Sequence, residues 1–177
     1  MVKVNRKEAE PMKEGYVDNR FASLYYKEMG QGMPLIMLHG NGESHEIFAR
    51  LSELMSRYYR VILMDSRGHG SSLMKEEAAG GDLTIPDMAA DVVQVMEFLH
   101  VPRAVILGFS DGANVALETA SCYPGRVSAV VAVSGNALPR GMSAASLMEV
   151  KIKYALWRGL EKVPLPRGVR ERAVKSR

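Results

Sequence analysis

Downstream of Pro34 the chain alternates between two hydrophobic patterns. Pro34-Leu35-Ile36-Met37-Leu38 and Val127–Val133 are short, nearly continuous apolar runs, the pattern of strands buried on both faces. Arg60–Met64 and Ala104–Leu107 predict two further strands. Between these runs apolar residues recur every three or four positions, the period of a helix with one apolar face. Ile47, Phe48, Leu51, Leu54, Met55 and Tyr58 form one such face behind Ser44, which is placed to cap it. Ile85, Met88, Val92, Val95, Met96 and Leu99 form a second, opened by Thr84 and Pro86 and closed before Pro102. A third helix is expected over 111–122, stopped by Pro124-Gly125. A fourth is expected over 143–160, with Met148, Ile152, Leu156, Trp157 and Leu160 on its apolar side. Upstream, Gly15–Lys27 reads as a hairpin with Asp18-Asn19-Arg20 as its turn. Strands alternating with amphipathic helices predict an α/β fold, a doubly wound and mostly parallel sheet built by right-handed crossovers.

Charge and composition narrow the setting. The net charge of +3 is local: residues 167–177 hold five Lys and Arg side chains against Glu171, which is +4 and leaves −1 for everything before them. A body near neutrality gives no reason to expect nucleic acid, and the basic tail reads as solvated. No apolar run reaches the ~20 residues of a membrane-spanning helix, and residues 1–15 lack the apolar segment of a signal peptide. The lone cysteine, Cys122, excludes an internal disulfide and fits a reducing compartment. The expected setting is therefore cytoplasmic, without a membrane partner, and Cys122 is expected to be a small buried packing residue. None of the histidine and carboxylate spacings looks like a metal site, and no cofactor is expected.

The most specific chemistry lies in Gly108-Phe109-Ser110-Asp111-Gly112. A G-x-S-x-G pentapeptide between a strand and a helix predicts a nucleophile elbow, a turn so tight that the serine is held in strained backbone geometry. Glycine at 108 and 112 removes the collisions that bulkier residues would cause and leaves Ser110 Oγ clear at the end of the sheet. Two other strand ends are rich in glycine and polar residues: His39-Gly40-Asn41-Gly42-Glu43-Ser44 and Asp65-Ser66-Arg67-Gly68-His69-Gly70-Ser71-Ser72. The glycines of the first let its backbone approach a ligand closely. Asp65 is expected to pin the loop that follows it, His45 to lie at the surface of a first helical turn, and His100 to end a helix.

These three motifs, in this order, resemble the α/β-hydrolase fold superfamily over roughly Leu24 to Asn136. The Ser-Asp-Gly form of the elbow resembles the valacyclovir-hydrolase-like esterases. The resemblance implies a serine hydrolase acting on a small ester or amide through an acyl-enzyme on Ser110. It also implies an oxyanion hole made by the amides of Asn41 and Asp111. His39 and Gly40 would border the substrate, and His39 and His69 would brace loops. The Asp111 carboxylate has two readings: it meets a positively charged substrate group, or it satisfies the first-turn amides of its own helix.

In that family the acid and the general-base histidine follow two further strands, in the order Ser, Asp/Glu, His. Here no histidine follows His100 and no aspartate follows Asp111. The chain thus reads as four parts: a polar segment (1–14), an incomplete hydrolase core (15–138), the opening of a lid (139–163) and the basic tail (164–177). Without a base Ser110 is a weak nucleophile, and His39 is the residue nearest to serving as a substitute. The expectation is an impaired or inactive hydrolase; the alternative is a non-catalytic domain of the same fold used for binding or assembly. Val127–Val133 has apolar side chains for both faces and none of the lysines, prolines or bulges that protect an edge. It is therefore expected to associate with a second copy or a complementing fragment.

Overall fold

The computed structural model describes residues 12–76 and 83–136, together with Met148. The chain divides after Gly135 into two units, and the fold below is that of the first. The expected lid (139–163) and basic tail (164–177) lie, Met148 apart, outside the described residues.

The hairpin forms as β1 (Lys13–Asp18) and β2 (Ala22–Met29). Asn19 makes its turn: its side-chain oxygen accepts the amides of Phe21 and Ala22 at 2.8 and 2.7 Å, an Asx turn that stands in for backbone pairing. The remaining strands are β3 (Met33–Leu38), β4 (Tyr59–Met64), the short β5 (Leu73–Met74), β6 (Ala104–Phe109) and β7 (Val127–Val133). The sheet runs β1-β2-β4-β3-β6-β7, with β5 paired to β2. Strands β4, β3, β6 and β7 are parallel, whereas β1 and β2 run antiparallel to each other and β2 antiparallel to β4. The mostly parallel α/β sheet is thus observed.

Period-2 alternation within the continuous runs sends successive side chains to opposite faces. Leu24, Ile36, Leu38, Ile62, Met64 and Ile106 face a core shared with Val92, Val95 and Met96 of α2 (Ile85–Phe98) and Val115 and Ala116 of α3 (Asp111–Cys122). Full burial of each large side chain contributes about 1.5–3 kcal/mol. Thr84 caps α2 by accepting the amide of Asp87, and the expected stripe of that helix is the one buried. No helix among the described residues is long and apolar enough to cross a membrane.

The opposite face is covered more thinly. Leu35, Met37, Val61 and Leu63 pack there against Phe48 and Met55 of a 3₁₀ turn (His45–Phe48) and α1 (Ala49–Met55). Ser44 caps the turn as expected. The predicted apolar stripe needs correction, because Phe48 and Ser52 are buried while Ile47, Leu51, Leu54 and Tyr58 are exposed. Two adjacent apolar rows exist on this helix, and the sheet can receive only one. Strand β7 also departs from expectation: only Val127 is buried, since among the described residues β7 pairs with β6 alone. Cys122 is likewise exposed, at the last turn of α3, with Sγ 3.3 Å from Glu118.

Candidate active site

Three strand ends meet at one point. Leu38 lies in register with Met64 on one side and Gly108 on the other, so the loops beginning at His39, Asp65 and Ser110 are neighbours. Ser110 links β6 to α3 at φ 52° and ψ −118°, a conformation that costs a non-glycine residue about 1–3 kcal/mol. Its amide donates to Val133 O at 2.8 Å, and its carbonyl accepts from Ala113 and Asn114 at 2.9 and 3.3 Å, starting the helix. A Cβ on Gly108 would lie 2.1 Å from Gly112 O, and one on Gly112 would lie 2.2 Å from Leu38 O. Both positions therefore require glycine, as the motif predicts.

Gly40 presses against the elbow from the β3 side. A methyl group there would stand 2.7 Å from Glu43 Oε2, 3.1 Å from Ser110 Cβ and 3.4 Å from Phe109 Cδ1. Two amides near Ser110 have no acceptor among the described residues. Asn41 N–H lies in the turn after Gly40, and Asp111 N–H, at the first helical position, has no carbonyl a turn earlier to receive it.

His39 is 2% exposed and fully committed. Its Nδ1 donates to Gly40 O at 2.7 Å, and its Nε2 accepts the amide of Ser66 at 3.0 Å. Burial holds its pKa below the ordinary value, which keeps the ring neutral. With both nitrogens engaged, His39 braces the loops after β3 and β4 and has no lone pair left for Ser110. The substitute base considered from the sequence is therefore not available at this residue.

Asp65 is fully buried and ties the same two loops. Its Oδ1 accepts His45 N–H at 2.6 Å, its Oδ2 accepts Ser71 N–H at 2.8 Å, and His45 Nδ1 lies 3.0 Å from both oxygens. Burial opposes its ionisation, but the bonds from His45 and Ser71 outweigh that and hold the carboxyl below its ordinary range. The expected loop anchor is present, but His45 is a partner in it and not a surface residue. Nothing in the local sequence around His45 signals this, because the contact spans twenty positions. Gly70, at φ 53°, leaves room for the carboxylate, which a Cβ there would meet at 2.2 Å. Behind these loops Arg67 grips Asp91 of α2 through Nε at 2.6 Å and Nη2 at 2.7 Å. Asn19 adds a third bond to that carboxylate at 2.8 Å, so hairpin, loop and helix share one buried polar junction. The Asp91 carboxylate in turn holds the Arg67 guanidinium above its ordinary value.

A cavity of about 200 Å³ opens beside the elbow. His39, Gly40, Asn41, Ser66, His69 and Asp111 supply its polar wall, and Leu83, Ile85, Met88 and Val115 its apolar one. Ser110 itself is not in that wall; the residues bearing the two unengaged amides are. His69 braces the rim, with Nδ1 3.1 Å from Arg67 O and Nε2 3.1 Å from Asn41 Oδ1. Asp111 stands at the first position of α3 and contributes to the cavity wall.

Comparisons with known proteins agree with this architecture. Residues 33–160 match the alpha/beta hydrolase fold family. The proline iminopeptidase of Neisseria meningitidis is 30% identical over 128 residues, covering 69% of this chain and 40% of that protein. The pimeloyl-[acyl-carrier protein] methyl ester esterase of Chromobacterium violaceum is 31% identical over 113 residues, covering 63% of this chain and 41% of its own length. Among solved structures, Est816, an N-acyl homoserine lactone degrading enzyme, superposes with a TM-score of 0.68 at 30% identity, over 78% of this chain and 52% of its own. The chain thus spans about half or less of the lengths of these relatives. By strand order, elbow geometry and the match over residues 33–160, it belongs to the α/β hydrolase fold family.

Proposed function

We propose that this chain carries the nucleophile and oxyanion hole of a serine hydrolase for small esters or amides. Ser110 Oγ attacks the substrate carbonyl carbon, the carbonyl oxygen takes up negative charge, and the amides of Asn41 and Asp111 receive that charge. Collapse of the tetrahedral species expels the alcohol or amine and leaves an acyl group on Ser110. The observation that carries this reading is the strained serine, with Gly40 packed against it and the Asn41 and Asp111 amides without an acceptor among the described residues. The iminopeptidase and methyl ester esterase among the relatives support the ester or amide class. An aspartate among the residues lining the cavity, Asp111, favours a substrate with a positively charged group.

The proton on Ser110 has no evident acceptor within these residues, since His39 is fully bonded and no histidine follows His100. An oxyanion hole and binding alone leave about 10³–10⁴-fold catalysis over water. We therefore expect the isolated 177-residue chain to hydrolyse p-nitrophenyl acetate very slowly and to label slowly with a fluorophosphonate, with labelling abolished by Ser110→Ala. Labelling that persists in Ser110→Ala refutes the assignment of the nucleophile. Turnover at ordinary esterase rates that Ser110→Ala abolishes refutes the absence of a base.

A second reading, a non-catalytic assembly domain, is favoured by β7. Val131 and Val133 are 46% and 42% exposed, and the outer edge of the strand has no partner among the described residues. On this reading the chain associates through β7 with a second copy or a complementing fragment, and Val131→Lys reduces that association. Light scattering after size-exclusion chromatography measures it, and a monomer at tens of micromolar refutes it.

A further inference from the structure

The turn after β3 offers three successive amides, Gly40, Asn41 and Gly42, beside Ser110. What decides which of them faces a substrate is the pinning of residue 40. Gly40 N–H donates to Glu43 Oε2 at 3.0 Å. Gly40 O accepts from Glu43 N–H at 3.3 Å and from His39 Nδ1 at 2.7 Å. Gly42 at φ 74° completes the turn, in the pattern of a type II turn with glycine at its third position. Glu43 therefore grips Gly40 from both ends, with its carboxylate on the N–H and its own amide on the C=O.

The consequence follows from peptide geometry. Gly40 C=O and Asn41 N–H belong to one planar trans unit and point in opposite directions. Fixing the carbonyl therefore fixes the direction of the Asn41 amide. The bond to Glu43 also removes the Gly40 amide as a competing donor, and a carboxylate acceptor makes that bond a charge-assisted one. Glu43 has no Lys or Arg ion pair among the described residues, so the amide is the assigned use of its charge. We infer that Glu43 is a positioning residue for the oxyanion hole: it acts through the Gly40 peptide to aim Asn41 N–H at the acyl oxygen. This rests on the reading of Ser110 as nucleophile.

The test uses the full chain and two variants, Glu43→Gln, which keeps an acceptor oxygen, and Glu43→Ala, which does not. In ¹H–¹⁵N spectra the Gly40 amide of the wild type should shift as a carboxylate titrates, and in Glu43→Gln that titration should vanish. Fluorophosphonate labelling of Ser110 should remain within about twofold of wild type in Glu43→Gln. In Glu43→Ala the maximal labelling rate should fall at least ~10-fold, with half-saturation by the reagent unchanged, because a displaced donor affects the transition state and not ground-state binding. A Gly40 amide that ignores pH overturns the inference, as does equal labelling of wild type and Glu43→Ala. Should Glu43→Ala fail to fold, the Gly40 titration and the near-normal labelling of Glu43→Gln decide alone. No labelling of the wild type overturns the Ser110 reading itself, and this one with it.

Discussion

The loop after β4 and the elbow after β6 each place an aspartate at the carboxyl end of a strand, and the two aspartates live in opposite surroundings. Asp65 is wholly buried, and His45 and Ser71 occupy both of its oxygens. Asp111 is half-buried at a cavity wall, at the first position of its helix. The contrast extends to the backbone: the amides around Asp65 are engaged, whereas those of Asn41 and Asp111 have no acceptor among the described residues. Groups that hold this site together have their hydrogen bonds completed within the chain. The groups proposed to meet a substrate have theirs open.

The sharpest way to break this comparison is to remove each carboxylate in turn. Asp65→Ala leaves the His45 and Ser71 amides without acceptors and should destabilise the fold by about 3 kcal/mol. Asp111→Ala should stay within about 0.5 kcal/mol of wild type. Urea unfolding measures both, and equal costs would dissolve the distinction. Acid gives an independent reading. The folded-state pKa of Asp65 lies below its ordinary 3.8. Its contribution to stability is therefore complete above that value and lost as the pH falls through the lower, folded-state value. Stability should drop in that acidic window in wild type, and the drop should be smaller in Asp65→Asn.

A smaller effect concerns the serine between the two loops. Ser110→Gly removes the penalty of a side chain at φ 52° and should raise stability by about 1 kcal/mol, while Ser110 labelling disappears. A serine that unfolding experiments find unstrained would contradict the elbow geometry. The smallest effect concerns Asp111→Asn. Stability should not change, and the preference of Ser110 for acylation by α-amino over neutral esters should fall about fivefold, the size of a partly solvated ion pair. An unchanged ratio would leave the Asp111 carboxylate without a role in selection.

The elbow was legible in the sequence because its strand-turn-helix context is local, and a side chain on Gly108 would meet Gly112 O within the same turn. The need for glycine at 112 comes from Leu38 O on the neighbouring strand and was legible only through the motif. The caps at Ser44 and Thr84 and the turn at Asn19 were legible for the same reason. What could not be read was set by which loop lies opposite. His45 meets Asp65 twenty positions away, and Glu43 reaches back to an amide that no motif marks as needing it. The stripe of α1 failed for a different reason. Ile47, Leu51, Leu54 and Tyr58 satisfy helical periodicity as well as Phe48, Ser52 and Met55 do, and periodicity cannot say which row faces the sheet. Asp111 could not be assigned from the sequence, because a carboxylate at a helix start is equally suited to capping and to facing a cavity.

The bond from Ser110 N–H to Val133 O joins the proposed nucleophile to the last position of β7. That strand is the most exposed of the four parallel ones, so its hydrogen bonds should open without global unfolding and exchange their amide protons earliest among them. Each such opening releases the Ser110 amide as well. The lifetime of the reactive geometry is thereby linked to the fraying of an outer strand, and any ligand or chain segment that lengthens the exchange time of β7 should lengthen that of the Ser110 amide by the same factor.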